Sequence, residues 1–199
     1  MATRFRRAPL AALLATLALG GCISFGAEPP PMLLSLTPAT TLSPGTSRTA
    51  VAGTAITVLP PRVPAALANN RVPVMSGDTS IAYVKDAQWV DQPNRLFRAL
   101  LSEVISAKTG RLVLDNRQFS FDPGTRISGQ LLKFGVDAGT NEAVVTYDAA
   151  RTTTGGEQLE ERRFEARVPV SAIEAGAVAG ALNTAANRVA DEVAAWIGN

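Results

Sequence analysis

The chain has 199 residues, of which 46% are hydrophobic, with 19 basic and 17 acidic side chains, one cysteine and no histidine. Without imidazole, the common zinc sites and the Ser-His and Cys-His nucleophile pairs are excluded, and a lone cysteine cannot close a disulfide within the chain. The formal net charge of +2 makes no case for nucleic acid, because no basic run is long enough to track a phosphate backbone.

Arg4, Arg6 and Arg7 open the chain, and Leu10 to Leu19 form an apolar run that stops at Gly20-Gly21. A membrane-spanning helix needs about 20 apolar residues, so residues 1–21 read as a signal peptide. Three arginines leave with it, and the remaining 178 residues carry 16 basic and 17 acidic groups, a net charge of −1. The stretch Leu19-Gly20-Gly21-Cys22 resembles the lipobox of bacterial lipoproteins, whose cysteine is acylated and begins the mature chain. Cys22 is therefore the expected lipidation site, against the alternative of a free or intermolecular thiol. Residue 23 is Ile rather than the Asp associated with inner-membrane retention in enteric bacteria. By resemblance, the destination is the periplasmic face of the outer membrane.

Residues 22–50 are rich in Pro, Ser and Thr, including Pro29-Pro30-Pro31 and Ser43-Pro44-Gly45, and are expected to form a flexible tether. About 25 such residues span roughly 30 Å r.m.s.. Leu33, Leu34 and Leu36 interrupt it and fit a short strand pinning the tether to a domain at 51–199, a size served by one core. That domain opens with a strand at Ile56–Leu59, stopped by Pro60-Pro61. Short strands follow at Arg71–Met75 and Ile81–Val84, joined by a turn at Ser76-Gly77-Asp78.

Leu96, Phe97, Leu100, Leu101, Val104 and Ile105 then recur at helical spacing. Asp91 is the expected N-cap, Pro93 suits the first turn, and Gly110 ends the helix. After a strand at Arg111–Asn116 come three longer runs, Arg126–Val136, Glu142–Arg151 and Gln158–Val170, separated by the turn-forming segments DAGTNE and TTTGGE. In the last run Phe164, Ala166, Val168 and Val170 alternate with Arg163, Glu165 and Arg167, as a strand with one buried face requires. Ser171 to Glu174 fits a capping box. Beyond it Val178, Leu182, Ala186, Val189, Val193 and Trp196 or Ile197 form the stripe of a final Ala-rich helix. These elements predict an α+β two-layer domain, with a mixed, mostly antiparallel sheet and two helices packed on one face.

The lipobox, the Pro-rich segment, VLPPRVPAAL, IAYVKDAQWVDQPNRLFRALLSEV, the Gly-punctuated meander and the Ala-rich last helix together resemble the ABC-type transport auxiliary lipoproteins, the PqiC-like family. The most specific part is Tyr83 with Trp89 and Pro93. Family members often carry Tyr-Tyr-x-Leu shortly after the lipidated cysteine, where this chain has Leu33-Leu34-Ser35-Leu36. The resemblance implies a lipoprotein that works with an ABC permease, its ATPase and a periplasmic MCE-domain protein to move lipids or other hydrophobic solutes between two membranes.

The residues offer little for catalysis. Glu157, Glu160, Glu161 and Glu165 form a carboxylate run, but on an exposed strand they read as a solvated face. Lys85, Lys108 and Lys133 have no serine pattern beside them, and TTTGGE lacks phosphate-binding spacing. No catalytic residue, metal site or cofactor is expected. Tyr83 and Trp89 are candidate partner contacts, Trp89 being foremost a core residue because its large apolar ring is favourable to bury. The loops at Pro60–Pro64 and Ser76–Asp78 are further candidates. The expected role is docking; the alternative is a lipoprotein that itself accepts hydrophobic cargo, and self-association remains open beside either.

Overall fold

The computed structural model describes residues 32–77, 79–115, 123–153 and 158–198. Residues 1–21, read from the sequence as a signal peptide, Cys22, Pro29-Pro30-Pro31, Asp78, Asn116 and residues 154–157 of the TTTGGE turn lie outside the described residues. Among the described residues, eight strands and two helices follow one another as β1 (Met32–Leu34), β2 (Ile56–Val58), β3 (Arg71–Ser76), β4 (Ser80–Trp89), α1 (Pro93–Thr109), β5 (Val113–Leu114), β6 (Thr125–Asp137), β7 (Glu142–Thr153), β8 (Leu159–Pro169) and α2 (Ala175–Gly198). A 3-10 turn at Ala65–Leu67 sits between β2 and β3.

The three long strands β6, β7 and β8 form the expected antiparallel meander, and Asn141 takes the left-handed conformation (φ 52°) at its first turn. Asn is one of the few side chains that tolerate it. The other edge of β6 is shared. β2 pairs in parallel with its beginning, Val58 opposite Ile127, and β3 pairs in parallel with its end, Val74 opposite Val136. The sheet therefore forks, with β5 outside β2 on one branch and β4, then β1, outside β3 on the other. A bridge from Arg62 to Gln130 closes the fork partway.

Tyr147 and Phe164 are directly opposed across β7 and β8, so they point to one face. The ring of Tyr147 meets Phe97 of α1 at 5.2 Å, and Phe164 meets Trp196 of α2 at 5.6 Å. Both helices thus cover the same side of an α+β two-layer fold. In α1, Phe97, Leu100, Leu101, Val104 and Ile105 are buried, and Gly110 supplies the left-handed C-cap (φ 72°). Its N-cap is Gln92 rather than Asp91, since Asp91 stands one residue too early and its carboxylate accepts the Gln92 N–H at 2.7 Å. In α2 both Trp196 and Ile197 are buried, as are Ala181, Ala185, Ala190 and Ala194. The buried face is wider than a stripe because α2 packs on α1 as well as on β7 and β8. It begins at Ala175, past the Ser171–Glu174 box, and the Glu174 carbonyl takes the Val178 N–H.

The expected tether is corrected over residues 35–50. This segment crosses the outer side of both helices as a strap. The Thr37 N–H donates to Asn183 Oδ1 at 2.8 Å, the Ala39 N–H to Asn187 Oδ1 at 2.7 Å, and the Leu42 N–H to Glu103 Oε1 at 2.8 Å. The Arg48 guanidinium donates to the Ser106 carbonyl and hydroxyl. Polar side chains on the helices thus satisfy the backbone of a segment whose composition alone favours solvent.

Candidate functional site

The fork produces a groove. β2 leaves β6 after Ile127 and β3 joins it only at Val136, and within that gap β6 carries a bulge at Leu132, which no β7 residue opposes. A bulge re-aims side chains out of strict alternation, and Leu132 lines the groove with Pro64, Leu67, Pro73, Met75 and Ile81. The space measures ≈ 490 Å³, with Lys133 and Asp137 also in its wall. Pro64 and Gly77 both border it, so the two loops singled out in the sequence meet here. Gly135 lets the branches close behind it, since a Cβ there would come 2.3 Å from the Pro73 carbonyl.

Tyr83 and Trp89, both on β4, do not meet. Between Arg71 and Pro73 the β4 partners jump from Gln88 to Tyr83, so Val84 to Ala87 bulge out, with Asp86 left-handed at φ 55°. Tyr83 is half-buried on the helix-free face. The Arg71 guanidinium lies 3.9 Å from its ring centre, and the Asn69 amide donates to its hydroxyl at 3.4 Å. Trp89 faces the other way and is 1% exposed, 5.3 Å from Phe134. That burial leaves it no surface for a partner, which corrects its candidacy as a contact in favour of the core. Among the described residues its indole N–H has no hydrogen-bond partner.

The carboxylate run divides between the two faces, and Glu157 lies outside the described residues. Glu160 accepts the Trp196 indole N–H at 2.7 Å and pairs with Arg151 at 2.6 Å; these two contacts, Trp196 first, hold its carboxyl below the usual range. Glu165 accepts the Thr146 hydroxyl and Arg167 Nε, both at 2.8 Å. Desolvation raises its pKa, and these bonds outweigh it to leave a net lowering. Asp148 is lowered by its hydrogen bonds from Arg163, and burial pushes the Tyr147 phenol above its ordinary value. The three carboxylates are thus occupied in strand-face ion pairs, and the Tyr147 hydroxyl donates to the Ser128 carbonyl. Among the described residues, no cluster of three acids or cysteines is placed to hold a metal, and no helix is long and apolar enough to cross a membrane. The arrangement suits binding of apolar groups, with the groove as its concave part.

Residues 33–194 match the family described as the ABC-type transport auxiliary lipoprotein component. Among solved structures, a Xanthomonas campestris protein of the family DUF330 is similar at a TM-score of 0.67 and 17% identity, covering 83% of this chain and 94% of that one. Another, described as an uncharacterized protein, is similar at 0.65 and 16% identity, covering 83% and 99%. Both likenesses concern the fold alone. No curated protein matches the chain.

Proposed function

The chain belongs to the ABC-type transport auxiliary lipoprotein component family, and from that premise we propose that it is an outer-membrane-anchored, periplasmic subunit that docks an MCE-domain protein served by an ABC permease and ATPase. The coarse role, an accessory lipoprotein of an ABC transport system, goes with the family. The finer reading takes Cys22 as the acylated residue and the groove as the contact surface.

The groove carries this reading. It gathers Pro64 and Leu67 from the connection between β2 and β3, and Met75, Ile81 and Leu132 from three strands, onto one concave surface, and Ile81 is 54% exposed there. Such a surface holds an apolar anchor of a partner, and a buried anchor in a pocket is where interface energy concentrates. The test is a photo-crosslinking side chain at Ile81 in intact cells. Capture of the MCE component supports docking, and recovery of no transporter component overturns it.

The groove also favours a second reading, in which the protein accepts a hydrophobic solute itself, because its volume falls within the roughly 300–1,000 Å³ of small-molecule sites. Lipid bound stoichiometrically to a purified Cys22→Ser chain, and lost in Leu132→Asp, would establish that alternative.

A further inference from the structure

The surface beside β1 differs from the rest of the domain. Of the large hydrophobic side chains exposed among the described residues, three lie together at this edge of the sheet: Met32 (44% exposed), Leu33 (58%) and Val90 (50%). Val90 is held there by its N–H, which donates to the Leu34 carbonyl. Leu33, Gln88 and Arg71 form one cross-strand row on the helix-free face. Tyr83 lies beneath the Arg71 guanidinium, which has no carboxylate partner among the described residues. Lys85 is almost fully exposed, and its one acidic neighbour is the exposed Asp86 at 3.9 Å. The nearby Asp91 is matched by Arg95, so the edge is cationic by one charge. Apolar side chains bordered by Arg, Lys and an amphipathic Tyr form the composition that seeks the boundary between lipid headgroups and acyl chains.

Chain length points to the same occupant. Only nine residues separate Cys22 from Met32, so once the strap is fastened the reach from the anchor is at most about 35 Å fully extended, and about 17 Å r.m.s. if it behaves as a coil. We propose that the edge made by Met32, Leu33 and Val90 with Arg71, Lys85 and Tyr83 rests on the phospholipid bilayer that holds the anchor. The apolar side chains enter the headgroup boundary, and the two cations meet lipid phosphates. The proposal rests on Cys22 being acylated. The groove lies toward the opposite end of β4, leaving it free for a partner.

The test uses the acylated protein in vesicles of phosphatidylethanolamine with phosphatidylglycerol, where acylation leaves an introduced cysteine as the single reactive thiol. A dye on Gln88→Cys should be quenched by lipid-borne quenchers several-fold more than one on Leu159→Cys, which sits on β8 at the far edge. Leu33→Asp should abolish that difference without shifting the melting temperature, since Leu33 is exposed. Equal quenching at both positions, or a crosslink from position 88 in cells that goes to protein and not lipid, overturns the proposal. An unmodified Cys22 by mass spectrometry would sink the anchor reading instead. The two failures are separable, because the quenching comparison is made only on protein whose acylated Cys22 has been verified by mass spectrometry.

Discussion

The two tryptophans differ in what their indole N–H groups meet. That of Trp196 donates to Glu160 at 2.7 Å, whereas that of Trp89 is buried without a partner among the described residues. An unpaired buried donor costs about 1–3 kcal/mol, so Trp89→Phe relieves part of what it loses in ring area. We expect Trp89→Phe to destabilise by no more than about 1–2 kcal/mol and Trp89→Ala by about 3–5 kcal/mol, as read by denaturant unfolding. Trp89→Phe also leaves Trp196 as the sole emitter. Trp196 and Arg151 lower the Glu160 pKa in the folded state, so whatever stability this pairing adds is fully present above the free carboxyl value of about 4.3. It is lost as pH falls through the lower folded value. Trp196 emission should therefore titrate with a midpoint below that of a free glutamate. Glu160→Gln should remove the transition, and a midpoint at or above the free value would contradict the pairing.

The helices were legible because a period of 3.6 is a local property. Leu100 and Leu101 declare their face through neighbours three and four positions away, and Leu100→Ala should cost about 2–5 kcal/mol at its buried site, measured by thermal or denaturant unfolding. The meander was legible for the same reason, its turn residues and alternation lying within a few positions of each other. The fork was not, because β2 and β3 reach β6 from more than 60 residues away and their short parallel pairings leave no local periodicity. β4 runs on to Trp89 instead of ending at Val84, since its bulge breaks the alternation that would have extended it. The strap escaped because its Pro, Ser and Thr composition is that of a linker, while its partners Asn183 and Asn187 stand about 150 positions away. Asn187 accepts the Ala39 N–H and donates to the Thr37 carbonyl. Asn187→Ala should lower stability by about 1–3 kcal/mol and open new cleavage sites between residues 37 and 48 under limited proteolysis. An unchanged digestion pattern would show that the strap is held by other contacts.

For the whole molecule, the strap changes what the anchor does. A tether of some 25 residues would let the domain roam, but with residues 35–50 fastened to the helices the leash can be no longer than the nine residues between Cys22 and Met32. Each acyl methylene buried in the bilayer contributes about 0.8 kcal/mol, so the proposed acylation of Cys22 by several chains would hold the protein permanently, and the length of the leash would set how crowded the domain is at that surface. The matched segment, residues 33–194, contains neither the anchor nor the leash, so Cys22→Ser should leave the melting temperature unchanged. It should release the protein from the membrane fraction, preserve binding to the purified partner and abolish complementation in cells. A graded version separates attachment from proximity. Inserting about 20 Gly/Ser residues after Ile23 triples the leash, and effective concentration falls roughly as the −3/2 power of length, so local concentration should drop about fivefold with the lipid anchor intact. Partial complementation by the insertion variant, between wild type and Cys22→Ser, is the expected result. Full complementation by Cys22→Ser would mean that the domain acts without being held at a membrane.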